Sequence, residues 1–187
     1  QSFINMNGRF RSPRYDIRTV ANGTFVQDQA KKEEDPTDNG QEIEANSLYF
    51  DIKDSQLGMS GRFGRQSGNS GGIFGRFDGG LVGYDFNKAL RFNAAYGYTV
   101  DFQHKGTVQT NLPFYSTSVT LGPFLKHLDV TPYYFSQDID GINNRTSAGL
   151  ESRWGHPKWN IFSLFDYEAN YQEVNIFMLN ALYRLSD

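Results

Sequence analysis

From Ala89 to Phe102 the chain alternates residue by residue: Leu90, Phe92, Ala94, Tyr96, Tyr98, Val100 and Phe102 against Arg91, Asn93, Ala95, Gly97, Thr99 and Asp101. A period of two sends these sets to opposite faces of a β-strand. The run is 14 residues long. A globular strand typically has about 5–6 residues, and a tilted strand crosses a bilayer with about 9–11. The pattern recurs along the chain. Ile4, Met6, Gly8 and Phe10 oppose Asn5, Asn7, Arg9 and Arg11; Leu48, Phe50 and Ile52 oppose Ser47, Tyr49, Asp51 and Lys53. Leu57, Met59 and Phe63 oppose Ser60, Arg62 and Gln66; Tyr115, Thr117, Val119 and Leu121 oppose Ser116, Ser118 and Thr120. Thr146, Ala148, Leu150 and Trp154 oppose Arg145, Ser147, Glu151 and Arg153; Phe177, Leu179, Ala181, Tyr183 and Leu185 oppose Asn180 and Arg184. Ile73 to Asp85 and Trp159 to Glu168 read as strands with apolar residues on both faces. Helical spacing is nearly absent.

The breaks between these runs also alternate. Short turns fall at Ser12–Arg14, Asp54–Gln56, Asn87–Lys88, Lys126–His127 and Gly155–Lys158. Between them lie expected polar connections at Asp28–Ala45, Ser67–Gly71, Gln103–Pro113, Asp138–Asn144 and Ala169–Gln172. Short turns at one end and longer loops at the other is the asymmetry of an outer-membrane barrel. Pro123 and Pro132 fall inside strands and cannot donate to a ladder, so they are expected at a rim or at bulges.

Composition agrees with strands that face two media. Aromatic residues are 16% of the chain and 19 of its 187 residues are Gly, while hydrophobic residues total only 38%. The net charge of -3 and the lack of a basic cluster exclude a nucleic-acid partner. With no Cys there is no disulfide framework and no thiolate metal site or nucleophile. No apolar run is long enough for a membrane-spanning helix. One domain, 1–187, accounts for the length.

The run Ser60–Tyr84, SGRFGRQSGNSGGIFGRFDGGLVGY, carries two Gly-Arg-Phe triplets. Together with the hairpin pattern over nearly the whole chain, it resembles Gram-negative outer-membrane β-barrels of the porin or export-channel kind. The resemblance implies an all-β, antiparallel, up-and-down transmembrane barrel in the bacterial outer membrane, with about 11–12 strands in this chain. Such barrels have even strand numbers and end on an aromatic residue. An odd count of eleven and a final Asp187 therefore point to part of a larger barrel, incomplete at both ends. The expected partners are outer-membrane lipid and lipopolysaccharide, with a periplasmic or plug protein as a further one.

Alternation then assigns the faces. Phe92, Tyr96, Tyr98, Leu150 and Trp154 are expected to face lipid, and Tyr115, Tyr134 and Tyr183 suit the same face or its rims. Arg9, Arg11, Asp51, Arg62, Arg76, Asp78, Arg91, Arg145, Glu151 and Arg153 are expected to line the pore. Adding Arg18, Lys53, Asp16, Asp101 and Asp129 leaves a slightly basic lumen. Arg62, Arg76 and Arg91 lie on successive strands and read as an arginine ladder. Charged walls tune permeation, and the same charges paired would only brace the wall. The function expected is passive diffusion or export through a polar pore. Two alternatives stay open: a scaffold barrel that holds a partner or plug without pore activity, and a soluble β-sandwich or lipocalin-like binder.

No catalytic, metal or cofactor site emerges. His104, His127 and His156 fall in loops or turns, and no GxSxG, HExxH or phosphate loop is present. The acidic run within Asp28–Ala45 reads as a solvated loop, with divalent-ion bridging to lipopolysaccharide as the other use. Asp138, Asp140 and Asn143 have calcium-like spacing, but Ile142 occupies a ligand position, which leaves a turn. The glycines from Gly58 to Gly83 read as curvature of a wall, or as close approach to a partner.

Overall fold

A computed structural model describes residues 2–27, 41–100 and 108–185. They form eleven strands: β1 (Ser2–Arg11), β2 (Tyr15–Gln27), β3 (Gln41–Asp54), β4 (Met59–Ser70), β5 (Ile73–Asn87), β6 (Leu90–Thr99), β7 (Pro113–Phe124), β8 (Leu128–Ile139), β9 (Ile142–Gly155), β10 (Trp159–Glu168) and β11 (Glu173–Tyr183). Every neighbour pair is antiparallel, and the spatial order repeats the chain order, an up-and-down meander. No helix occurs among the described residues. The ladder is open: no pairing joins β1 to β11 among the described residues. Asp101, Phe102 and His104, and the part of the acidic connection from Asp28 to Gly40, lie outside the described residues, so the ion-bridging expectation there has no structural counterpart.

The five short turns all lie at one end of the sheet, where the sequence puts them. The other end differs from expectation. Ser67–Gly71 and Asp138–Asn144 are strand with two-residue turns, Gly71-Gly72 and Asp140-Gly141. All four turn residues have positive φ, 68°, 79°, 52° and 79°, the pattern of a type I′ hairpin whose twist matches the flanking strands. Gly-Gly and Asp-Gly supply that conformation cheaply, so the polar residues around them stay in the ladder.

Of the two prolines, one sits at an irregular point of the β7–β8 ladder. Pro123 lies where the register shifts between Leu121 and Phe124. Pro132 lies between the pairs Ser118–Tyr133 and Leu121–Val130 and makes none with β7. The register is the same on both sides of it and it pairs with Leu150 of β9, so it lies within a regular stretch and not at a bulge.

The sheet is strongly curved. In a flat sheet β4 and β9, five ladder steps apart, would be about 24 Å apart at ~4.8 Å per step. Instead Ser70 of β4 reaches Glu151 of β9 at 2.8 Å. Two features produce this contact: curling of β5–β10, and departure of the β4–β5 hairpin from the wall. β3 pairs with β4 only from Met59 to Arg65, so the hairpin end from Gln66 to Arg76 leaves β3 behind. This end, here called the arm, leans across the concave side of the sheet. Its tip lies against β7, β8 and β9.

A hydrophobic core lies beneath the arm. Ile73 and Phe77 of the arm and its base meet Ala95, Phe114, Tyr133, Phe135 and Leu164 of the concave face. Phe77 is edge-on to Phe114 at 5.2 Å, and Phe114 stacks on Phe135 at 5.6 Å, arrangements favoured by ring quadrupoles.

Candidate functional site

The site is the concave face of β3–β10 with the arm laid over it. Alternation places its wall. On β6 and β7 the registered rows Arg91–Thr120, Asn93–Ser118 and Ala95–Ser116 share the concave face. On β8 and β9, Asp129–Arg153 and Thr131–Glu151 continue it. Asn93 donates to Ser118 at 3.3 Å and Thr131 to Thr120 at 3.2 Å, so the polar row is linked across strands.

Polar contacts pin the arm. Both carboxylate oxygens of Glu151 are used: one accepts from the Ser70 hydroxyl at 2.8 Å, the other from the Gly71 N–H at 2.7 Å. The Ser116 hydroxyl donates to the Gly71 carbonyl. Arg145 donates to the Gly72 carbonyl at 3.3 Å and to Asp166 at 3.0 Å, and lies 3.6 Å from Glu168. Asp166 is fully buried, so it needs partners on every side. Tyr133 donates to it at 2.5 Å and Asn175 at 2.9 Å. Tyr133 reaches Asp166 from β8 by crossing Gly149 of β9, where any Cβ would strike the phenol ring. Gly72 is constrained likewise: a Cβ there would lie 2.6 Å from that of Phe135.

Each residue expected to line a pore has a definite place. Arg9 and Arg11 on β1 bind Asp16 at 2.9 and 3.4 Å. Arg62 binds Asp51 at 2.7 Å, and Arg91 binds Asp85 at 2.7 Å and Ser60 at 2.7 Å. Arg153 lies over the Phe162 ring at 5.4 Å. Arg145 and Glu151 hold the arm, as above.

Arg76 and Asp78 differ from the expected alternation. In register they occupy the face of β5 opposite Phe77 and Asp85, so Arg62, Arg76 and Arg91 do not form one ladder along the wall. The arm explains their position. Having left the wall, it turns this second face toward β3. There Arg76 meets Glu44 at 3.1 Å, and Asp78 binds Arg65, which also reaches the Ala45 carbonyl. Both residues thus lie over the concave side by a route that alternation does not describe.

Of the residues expected to face lipid, Phe92, Tyr96 and Leu150 are exposed on the convex face, at 44%, 57% and 44%. Tyr98 packs edge-on against Tyr96, and Trp154 lies beside His127, 5.8 Å between rings. Exposed apolar residues continue this face along the sheet: Met6 and Phe10, Leu48 and Phe50, Met59 and Phe63, Val82 and Tyr84, then Tyr115, Tyr134, Phe165, Phe177 and Leu179.

Sequence reasoning missed Glu44, Arg65, Tyr133, Asp166 and Glu168. For Asp166 and Glu168 a signal existed: they continue the even-numbered row of Phe162 and Leu164, but aromatic residues on both faces of β10 masked it. Arg65 had none, because its burial depends on the arm. With Glu44, Asp85, Asp166 and Glu168 counted, and Arg65 the only added base, the expected basic excess on this face is largely cancelled.

At the short-turn end Arg14 donates to Asp54 at 2.9 Å, and this hydrogen bond holds its guanidinium above its ordinary value. No group of residues suited to hold a metal occurs among the described residues. His127 and His156 sit together at this end, 4.9 Å between rings, with no nucleophile near them in the described contacts. In comparisons with known proteins, the chain matches no family model and no curated protein sequence.

Proposed function

We propose that the sheet is wall of a transmembrane β-barrel in a bacterial outer membrane, surrounding a polar passage that the arm narrows, through which small solutes diffuse or a cargo is exported. The observation that carries this reading is the two-faced sheet. Its convex face exposes large apolar side chains on β1 and on β3–β11, and its concave face holds the ion pairs Arg9–Asp16, Arg62–Asp51 and Arg91–Asp85. Soluble monomers rarely expose apolar patches beyond roughly 300–600 Å². Hydrocarbon outside and water inside match the two faces. In hydrocarbon the free edges of β1 and β11 must be paired, by each other or by further strands, so the barrel is completed by one of these routes. Lipid and lipopolysaccharide are the partners of the convex face on this reading.

The arm also favours a second reading, a scaffold without conductance. It crosses the concave side between β3 and β9 and is fixed at both faces. A passage must then run beside the arm, along the charged inner faces of β1–β3. Planar-bilayer recordings of the purified protein decide between the two: discrete conductance steps support the passage, and a silent inserted protein supports the scaffold. Photolabelling with a lipid-confined probe tests the membrane itself. Labels on Phe92, Tyr96 and Leu150 but not on Asn93 or Ser118 are expected; the reverse pattern rejects it.

A further inference from the structure

Between the arm tip and the wall lies a cavity of about 370 Å³. The arm contributes Asn69 and Ser70, and the wall contributes Asn93, Ser118, Thr120 and Thr131. At ~30 Å³ per water it holds about a dozen waters, within the range of small-molecule sites. Four charged groups also line it, Arg91 and Arg153 against Asp129 and Glu151. Arg91 is committed to Asp85, and Glu151 to Ser70 and Gly71. Asp129 and Arg153 are register partners on β8 and β9. The four charges sum to zero, so the lining as a whole favours neither a cationic nor an anionic ligand. What remains is a set of hydroxyls and carboxamides beside an apolar patch of Ile73, Leu81 and Ala95. Asn93 accepts from Arg91 and donates to Ser118, and Ser70 donates to Glu151, but each group both donates and accepts and keeps further capacity beyond these bonds.

We propose that this cavity is a binding site for a neutral polyhydroxylated ligand, one or two sugar rings in size. Successive CHOH groups present donor and acceptor together, and they match a wall that does the same. The cross-strand bonds Asn93–Ser118 and Thr131–Thr120 hold the wall groups in place before a ligand arrives. As a solute class for the passage the proposal rests on the membrane-wall reading, but binding itself needs only the folded sheet and the pinned arm.

The test is calorimetric titration of the full chain in detergent with glucose, maltose and cellobiose, and with gluconate and glucosamine as charged controls. Saturable binding of at least one neutral sugar is expected, tighter than for either control. Ser118→Leu fills the cavity beside the arm tip, leaves the Glu151, Ser116 and Arg145 side chains in place, and should weaken binding at least tenfold while the arm distance stays that of the unaltered protein. Thr117→Leu, on the convex face, serves as the control for folding and should leave binding within about twofold. Absence of saturable binding by all three neutral sugars, preference for a charged control, or indifference to Ser118→Leu overturns the proposal. Bilayer conductance separates the two claims. Sugar binding by a silent protein keeps the site and rejects the pore; conductance without sugar binding rejects the site alone.

Discussion

Replacing Glu151 by Ala removes the acceptor that holds the arm tip. Both of its oxygens are engaged, by the Ser70 hydroxyl and the Gly71 N–H, and the side chain is 3% exposed. A hydrogen bond to a charged group contributes about 1.5–3 kcal/mol, so the pair is worth roughly 3–6 kcal/mol, or about 10²–10⁴ in the docking equilibrium. What resists release is the Ser116 and Arg145 bonds and the burial of Ile73. The chain has no Cys, so spin labels placed at Ser67→Cys on the arm and Ala148→Cys on β9 report on those positions alone. Pulsed electron–electron distance measurements should give one narrow distribution with Glu151 present and a broadened, longer one after Glu151→Ala. Glu151→Gln keeps one carbonyl acceptor and should fall between them. An unchanged distribution in Glu151→Ala would refute the pinning argument and leave the apolar contacts as the whole anchor.

Phe77→Ala empties the centre of the core and should cost about 3–5 kcal/mol in denaturant unfolding, whereas Phe63→Ala on the convex face should cost far less in micelles; equal effects would mean the core is not where it is described. Arg145→Ala strands the buried carboxylates of Asp166 and Glu168 and should destabilise the fold by about 3–5 kcal/mol, measured the same way. Gly72→Val combines a positive φ with a collision against Phe135 and should release the arm in the spin-label assay much as Glu151→Ala does. If the protein conducts, changing Arg62, Arg76 and Arg91 to Ala together removes three positive charges beside Asp51, Glu44 and Asp85 and should shift the reversal potential toward cation preference. An unmoved potential would remove these arginines from the conducting path.

Alternation made the strands and their faces legible. Leu90 to Thr99, Tyr115 to Leu121 and Arg145 to Trp154 alternate cleanly, because a pleated strand with different media on its two faces imposes a period of two on its residues. The five short turns were legible for the same reason, as interruptions of that period. Two turns at the other end were misread as loops, since Gly71-Gly72 and Asp140-Gly141 continue a hairpin through polar residues. Within the site, Glu151 and Arg145 could be placed on the concave face but not given a task, because their partners on the arm are more than seventy residues away in the chain.

The sequence alone determined that this is an antiparallel meander with one apolar and one polar face. Both properties are local: strand formation and facing depend on the next residue and the one after it. Only the tertiary structure decided that β4 and β5 leave the wall, that Phe77, Phe114 and Phe135 form a core on the polar side, and that Arg76 turns toward β3. These outcomes depend on contacts between strands distant in the chain and on curvature accumulated over many ladder steps. No single segment carries that information in its own pattern.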